Sequence, residues 1–158
     1  MKNDPPRICS VESSHIADLI RLGEQTNLSP WSAQSYLDEI KNPNSIMLRL
    51  VSDENETIGF VVGRLVQGGE IEVRMDAEIY NIAVAAEHQG KGNGLILLRS
   101  FLRGSKDRGA GFVWLEVRES NKKAIDFYKY NGFDKVQTRP NFYSNPRENA
   151  ILMRLKLV

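Results

Sequence analysis

The segment Tyr80-Asn81-Ile82-Ala83-Val84 is apolar enough for a strand, and Gln89-Gly90-Lys91-Gly92-Asn93-Gly94 follows it, opening an apolar run from Leu95. A strand that enters a glycine-rich turn and leaves as a helix is a physical recipe for holding phosphate. Glycine lets backbone N–H groups approach a ligand and point the same way, and the helix start adds a partial positive charge. A tight strand-to-helix connection without a ligand uses the same residues. Two familiar phosphate motifs are absent. No Gly-x4-Gly-Lys-[Ser/Thr] run occurs, and Gly90, Gly92 and Gly94 alternate, which breaks the Gly-x-Gly-x-x-Gly spacing of a dinucleotide site.

Two further residues can move protons. In Phe112-Val113-Trp114-Leu115-Glu116-Val117 the strand period puts Glu116 on the face of Phe112 and Trp114. A carboxylate on such a strand is costly unless paired or hydrated. It either ends the strand in a salt bridge, with Arg118 or Lys122, or serves a cleft as a general base. On a helix that starts near Asn121, the residues Asn121, Ala124, Ile125 and Tyr128 share a stripe. Tyr128 is then either a packed core ring or a phenol poised to donate a proton. His15, His88 and Cys9 are isolated in the sequence, so no metal-ligand cluster is expected.

These residues need elements to position them. Arg7 to Val11 reads as a short strand, and Ser13 or Ser14 caps a helix to about Glu24. Ser29-Pro30-Trp31 opens a second helix with Tyr36, Leu37 and Ile40 on one face, stopped by Asn42-Pro43-Asn44. Strands follow at 45–52 and 57–65, joined by Asp53-Glu54-Asn55-Glu56. The run Gln67-Gly68-Gly69-Glu70 breaks the chain, and Ile71 to Met75 can extend that hairpin. Ala77 to Val84 is the next strand, and Leu95 to about Lys106 a helix. Phe112 to Val117 is a central strand, apolar on both faces except at Glu116. Ser120 caps a helix that Asn131-Gly132 ends, and strands at 133–138 and 150–157 close the chain. The order is that of an α+β or α/β fold with a twisted mixed sheet.

Composition narrows the function. The 158 residues suit one domain, and 41% of them are hydrophobic, enough for a core. No window approaches 18 apolar residues, and the start lacks the apolar stretch of a secretory signal. One cysteine excludes an internal disulfide and suits a reducing cytoplasm. With 21 basic against 20 acidic residues and no basic stripe, nucleic acid is not the expected partner.

Taken together, these segments resemble the GNAT acetyltransferase superfamily, whose cofactor motif [Arg/Gln]-x-x-Gly-x-[Gly/Ala] is matched by Gln89, Gly92 and Gly94 after a strand ending Ile82-Ala83-Val84. Phe127-Tyr128 with Gly132-Phe133 is similar to its other signature. Pro30-Trp31-Ser32, Trp114-Leu115-Glu116-Val117-Arg118, Ser120-Asn121, Asn141-Phe142-Tyr143 and Arg147-Glu148 resemble the bacterial ribosomal-protein-alanine N-acetyltransferases. The resemblance implies a central, mostly antiparallel mixed sheet flanked by about four helices, with acetyl-CoA as donor. It implies that the backbone of Ile82, Ala83 and Val84 holds the pantetheine arm. The amides of Gly90, Lys91, Gly92, Asn93, Gly94 and Leu95 would cradle the pyrophosphate. Asn121 would reach the thioester end, Glu116 would accept the proton, and Tyr128 would donate one. Glu78, on the strand before the cofactor turn, is the rival base. Relative to that family, 67–76 is longer and 144–149 shorter.

The implied acceptor is a protein N-terminal amine, on a ribosomal protein. An α-amine with pKa near 8 is roughly one-tenth neutral at pH 7, whereas a lysine amine at about 10.4 is only on the order of 0.04% neutral. A modest base therefore suffices for a protein N-terminus. Acetyltransferases acting on a small amine or lysine side chain, and a non-catalytic acetyl-CoA-binding module, would share everything up to the acceptor half.

Overall fold

The structure, a computed structural model, describes residues 3–69 and 73–158. Seven strands form one sheet in the order β1-β2-β3-β4-β5-β7-β6. In chain order these are β1 (Arg7–Ser10), β2 (Ser45–Val51), β3 (Thr57–Gly68), β4 (Arg74–Val84), β5 (Ala110–Arg118), β6 (Asp134–Ser144) and β7 (Arg147–Lys156). The helices are α1 (Ile16–Gln25), α2 (Ala33–Lys41), α3 (Asn93–Asp107) and α4 (Lys122–Tyr130). Among the described residues only β4 and β5 pair in parallel, and α3 makes the crossover between them. The α+β architecture with a mostly antiparallel sheet is therefore present.

Two cores lie on the two faces of the sheet. Leu97, Leu98 and Phe101 of α3, with Ile125 and Tyr128 of α4, pack on Val61, Ala77, Ile79, Val113, Leu115 and Met153. On the other face, Leu19 and Leu22 of α1 and Tyr36 of α2 cover Phe60, Val62 and Ala83. Gly63 permits the closest approach, because a Cβ there would run into the Phe101 ring and the Glu78 carbonyl. Among the described residues, no helix is long and apolar enough to cross a membrane.

Several boundaries differ from the sequence reading, each for a local reason. Glu12 and His15, not Ser13 or Ser14, make the reciprocal cap before α1. Ser32 caps α2 through the Ser35 amide at 3.0 Å, so Ser29-Pro30-Trp31 belongs to the preceding loop. Asn121 caps α4 through the Ala124 amide, displacing Ser120. β3 runs through Gln67 and Gly68, in register with Met75 and Arg74, because cross-strand pairing overrides the glycine signal. Glu70 of the expected break and Ile71 and Glu72 of the expected hairpin extension lie outside the described residues. β6 and β7 are longer than expected and pair up to Ser144 and Arg147.

Two irregularities position the site. The register of β3 with β4 steps from Val62↔Asn81 to Gly63↔Ile79, leaving Tyr80 as an extra residue in a bulge. The parallel pairing of β4 with β5 ends at Ile79↔Leu115, although β4 runs on to Val84 and β5 to Arg118. Beyond that point the two strands part, and the sheet opens.

Candidate active site

The opening between β4 and β5 is walled by the residues that the sequence singled out. A cavity of about 280 Å³ there is lined by Tyr80, Ile82, Glu116, Asn121, Tyr128 and Tyr143, among others. A larger groove of about 670 Å³ runs from Glu116 past Trp114 and Glu78 to Gly68 and Gly69. The two spaces share Ile79, Tyr80, Leu115, Glu116 and Phe142. Glu116 thus stands where they meet.

Phe112, Trp114 and Glu116 are half-buried, alternating with the buried Val113, Leu115 and Val117. The strand is central, as expected, but its Glu116 face lines the groove and carries no helix among the described residues. Glu116 does not pair with Arg118 or Lys122. Its Oε1 lies 2.9 Å from Nη1 of Arg139 on β6. Desolvation raises the Glu116 pKa above the usual carboxylate range. Arg139 opposes that shift, and Glu78 adds to it.

Tyr128 reaches the opening from the opposite face of the sheet. It is buried with α4 and rests edge-on against Phe133 at 5.5 Å. Gly132, at φ 93°, turns the chain after α4, and the Phe133 amide returns to the Tyr128 carbonyl at 3.0 Å. This glycine C-cap seats Phe133 beneath the Tyr128 ring. Burial raises the Tyr128 pKa, which keeps the phenol protonated.

The glycine-rich turn lies where β4 ends. Gly90 and Gly92 have φ of 73° and 84°, and nothing stands within 4 Å of a Cβ built on either. Ile96 is the first amide of α3 to pair, with the Gly92 carbonyl, so the amides of Asn93, Gly94 and Leu95 have no partner within the helix. An open cradle of backbone N–H groups at a helix start fits a pyrophosphate. The side chains of Gln89 and Asn93 are used to hold the turn itself. Gln89 Nε2 donates to the Val84 carbonyl at 2.8 Å, Lys123 Nζ donates to Gln89 Oε1, and Asn93 Nδ2 donates to the His88 carbonyl. The turn does not line the cavity that holds Glu116 and Tyr128. It stands at the far end of the stretch Tyr80 to Val84, which pairs with β3 from Asn81 onward but no longer with β5, and in which Ile82 lines the cavity while Ala83 and Val84 are buried.

Arg139 gave no signal in the sequence. Arg118, read there as a possible partner of Glu116, has other contacts: its guanidinium lies over the Tyr143 ring at 4.2 Å and donates to the carbonyls of Asn145 and Pro146. Glu148 accepts from Arg118 and from the Ser120 amide, so β5, the start of α4 and the β6–β7 turn are joined. Trp31 stacks at 5.2 Å on Tyr36 and 5.8 Å on Tyr80, placing the α1–α2 loop over the opening. These contacts join residues distant in sequence.

A mixed sheet that opens between two parallel strands, with a glycine cradle at one end of the gap, defines an acetyl-CoA-dependent N-acetyltransferase. The chain belongs to the acetyltransferase (GNAT) family, whose model matches residues 16–133. It is 33% identical to the [ribosomal protein bS18]-alanine N-acetyltransferase of Haemophilus influenzae, over 92% of this chain and 95% of that one. Its fold is similar to the crystal structure of the ribosomal-protein-S18-alanine N-acetyltransferase from Escherichia coli, with a TM-score of 0.82, 27% identity and coverage of 96% and 93% of the two chains. Ard1 from Thermoplasma volcanium shares the fold at a TM-score of 0.85 and 24% identity, covering 98% of this chain and 99% of that one.

Proposed function

We propose that this chain acts as a single domain that acetylates the N-terminal α-amine of a protein in the cytoplasm, a ribosomal protein being the acceptor class. The observation that carries this reading is the meeting of the two spaces at Glu116: one reaches back toward the glycine cradle, the other runs outward as a groove open enough for a polypeptide. The names of the relatives above support the acceptor class.

Acetyl-CoA bound in the cradle supplies an activated acetyl thioester. The backbone of Ile82, Ala83 and Val84 and the amides from Gly90 to Leu95 would hold it, and Asn121, which lines the cavity with Glu116 and Tyr128, would reach its thioester end. A backbone N–H on the bulged stretch of β4 would polarise the acetyl carbonyl as the amine nitrogen bonds to its carbon and the carbon–sulfur bond breaks. Glu116 takes the proton from the attacking amine, directly or through water. Desolvation raises its pKa, which makes the carboxylate a better base near neutral pH. Tyr128, kept protonated by burial, gives a proton to the departing sulfur.

The test is a peptide panel assayed for CoA release. Ala-initiated peptides with free N-termini should react, and the same sequences with blocked N-termini and internal lysines should not. Equal rates for the two sets would overturn the N-terminal reading.

A further inference from the structure

The charged groups lining the larger groove are Arg74, Asp76, Glu78, Glu116 and Arg139. Arg74 pairs with Asp76, and Arg139 with Glu116. Glu78 makes no ion pair among the described residues. Arg64, opposite Glu78 in the β3–β4 register, gives its guanidinium to both carboxylate oxygens of the buried Glu39. Arg154, opposite Trp114, is laid over the Phe112 and Trp114 rings at 4.7 and 5.2 Å. Of the five charged groups that line the groove, three are carboxylates and two are guanidinium groups, and Glu78 is the carboxylate with no ion pair among the described residues.

The position of Glu78 gives that excess a meaning. Glu78 is level with Trp114, two residues before Glu116 on β5, or about 7 Å along the strand. An extended peptide covers that distance in about two residues. A chain with its α-amine at Glu116 that runs down the groove passes Glu78 with its second or third side chain. At the far end the groove is lined by Gly68 and Gly69.

We propose that the groove selects acceptors with a cationic side chain at the second or third residue, and that Glu78 pairs with that cation. The partner class is a protein with an extended, basic N-terminal segment. This inference rests on the N-terminal acceptor reading, and it assigns to Glu78 a role in specificity, not in proton removal.

The experiment measures binding of Ala-initiated hexapeptides to the CoA-loaded protein by calorimetry, with turnover followed in parallel on acetyl-CoA. The peptides carry lysine, norleucine or glutamate at positions two and three. A solvent-facing ion pair supplies up to about fivefold, so the lysine peptide should bind about fivefold tighter than the norleucine one. Glu78→Gln should bring that ratio to about one, and Glu78→Lys should favour the glutamate peptide. Equal affinities in the native protein, or a ratio that survives in Glu78→Gln, overturn the proposal. A uniform loss of turnover in Glu78→Gln with the ratio intact overturns it too, by giving Glu78 to the amine. Reaction of blocked peptides is a separate result that sinks the N-terminal reading and is visible without reference to the lysine–norleucine ratio.

Discussion

Arg139 Nη1 lies 2.9 Å from Glu116 Oε1, joining β6 to the mouth of the opening between β4 and β5. Desolvation by the cleft raises the Glu116 pKa and Glu78 adds to that shift, while Arg139 lowers it. Removing Arg139 leaves the raising causes unopposed, so the base stays protonated to higher pH. Arg139→Gln should therefore move the acidic limb of kcat/KM to higher pH, with activity recovering as pH rises. A limb that stays in place would show that Glu116 does not control it.

Glu116 itself links activity to stability. Its folded pKa is raised, so the folded protein holds that proton more tightly than the unfolded chain. Ionisation then costs folding free energy as pH rises from the unfolded pKa through the folded one, and the cost is fully present above it. Glu116→Gln removes that cost. Its Tm should match or exceed that of the native protein at pH 7 while its activity falls, and at pH 4 the stability advantage should vanish. A lower Tm at pH 7 would mean that the Arg139 pair outweighs desolvation.

Tyr128→Phe preserves the ring contacts with Phe127 and Phe133 and removes only the hydroxyl. General acid help is worth about 10²–10⁴ in rate, so kcat should fall by that order with little change in Tm. Activity within about twofold of native would leave Tyr128 as a packing residue.

The cradle at Gly90 and Gly92 depends on left-handed backbone and on empty space. Gly92→Trp should remove calorimetric acetyl-CoA binding while the far-ultraviolet dichroism of the sheet and helices is kept. Native affinity in a folded Gly92→Trp protein would place the pyrophosphate elsewhere.

Arg118 ties the β6–β7 turn to β5 and lies on the Tyr143 ring. Arg118→Ala should raise KM for the peptide while leaving the Kd of acetyl-CoA nearly unchanged. The loss of a partly buried hydrogen-bonded cation should also cost about 1–3 kcal/mol in denaturant unfolding. A change in acetyl-CoA affinity instead would assign Arg118 to the donor half.

Much of this protein was legible in its sequence because the signals are local. The alternation in 112–117 fixed which face of β5 carries Glu116, and the helical stripe from Asn121 placed Tyr128 on the packed side of α4. Gly90 and Gly92 marked a turn that only residues without a Cβ adopt cheaply, and Asn131-Gly132 ended α4 where the φ of 93° requires glycine. Helix starts were misread at Ser29 and Ser120 because Ser32 and Asn121 compete for the same orphan amides, and the winner depends on where the chain enters the helix. What only the tertiary structure decided is non-local. The parting of β4 from β5 after Ile79↔Leu115 falls at the Tyr80 bulge, where the register of β4 on β3 steps by one residue. Arg139, not Arg118 or Lys122, became the partner of Glu116, because strand order put β6 beyond β7 on the open side of the sheet. Among the described residues Glu78 has no ion pair, and Arg64, its register partner on β3, is held by Glu39 of α2. A single strand's period reports which way a side chain points; which charge it meets is set by pairings between segments far apart in the chain.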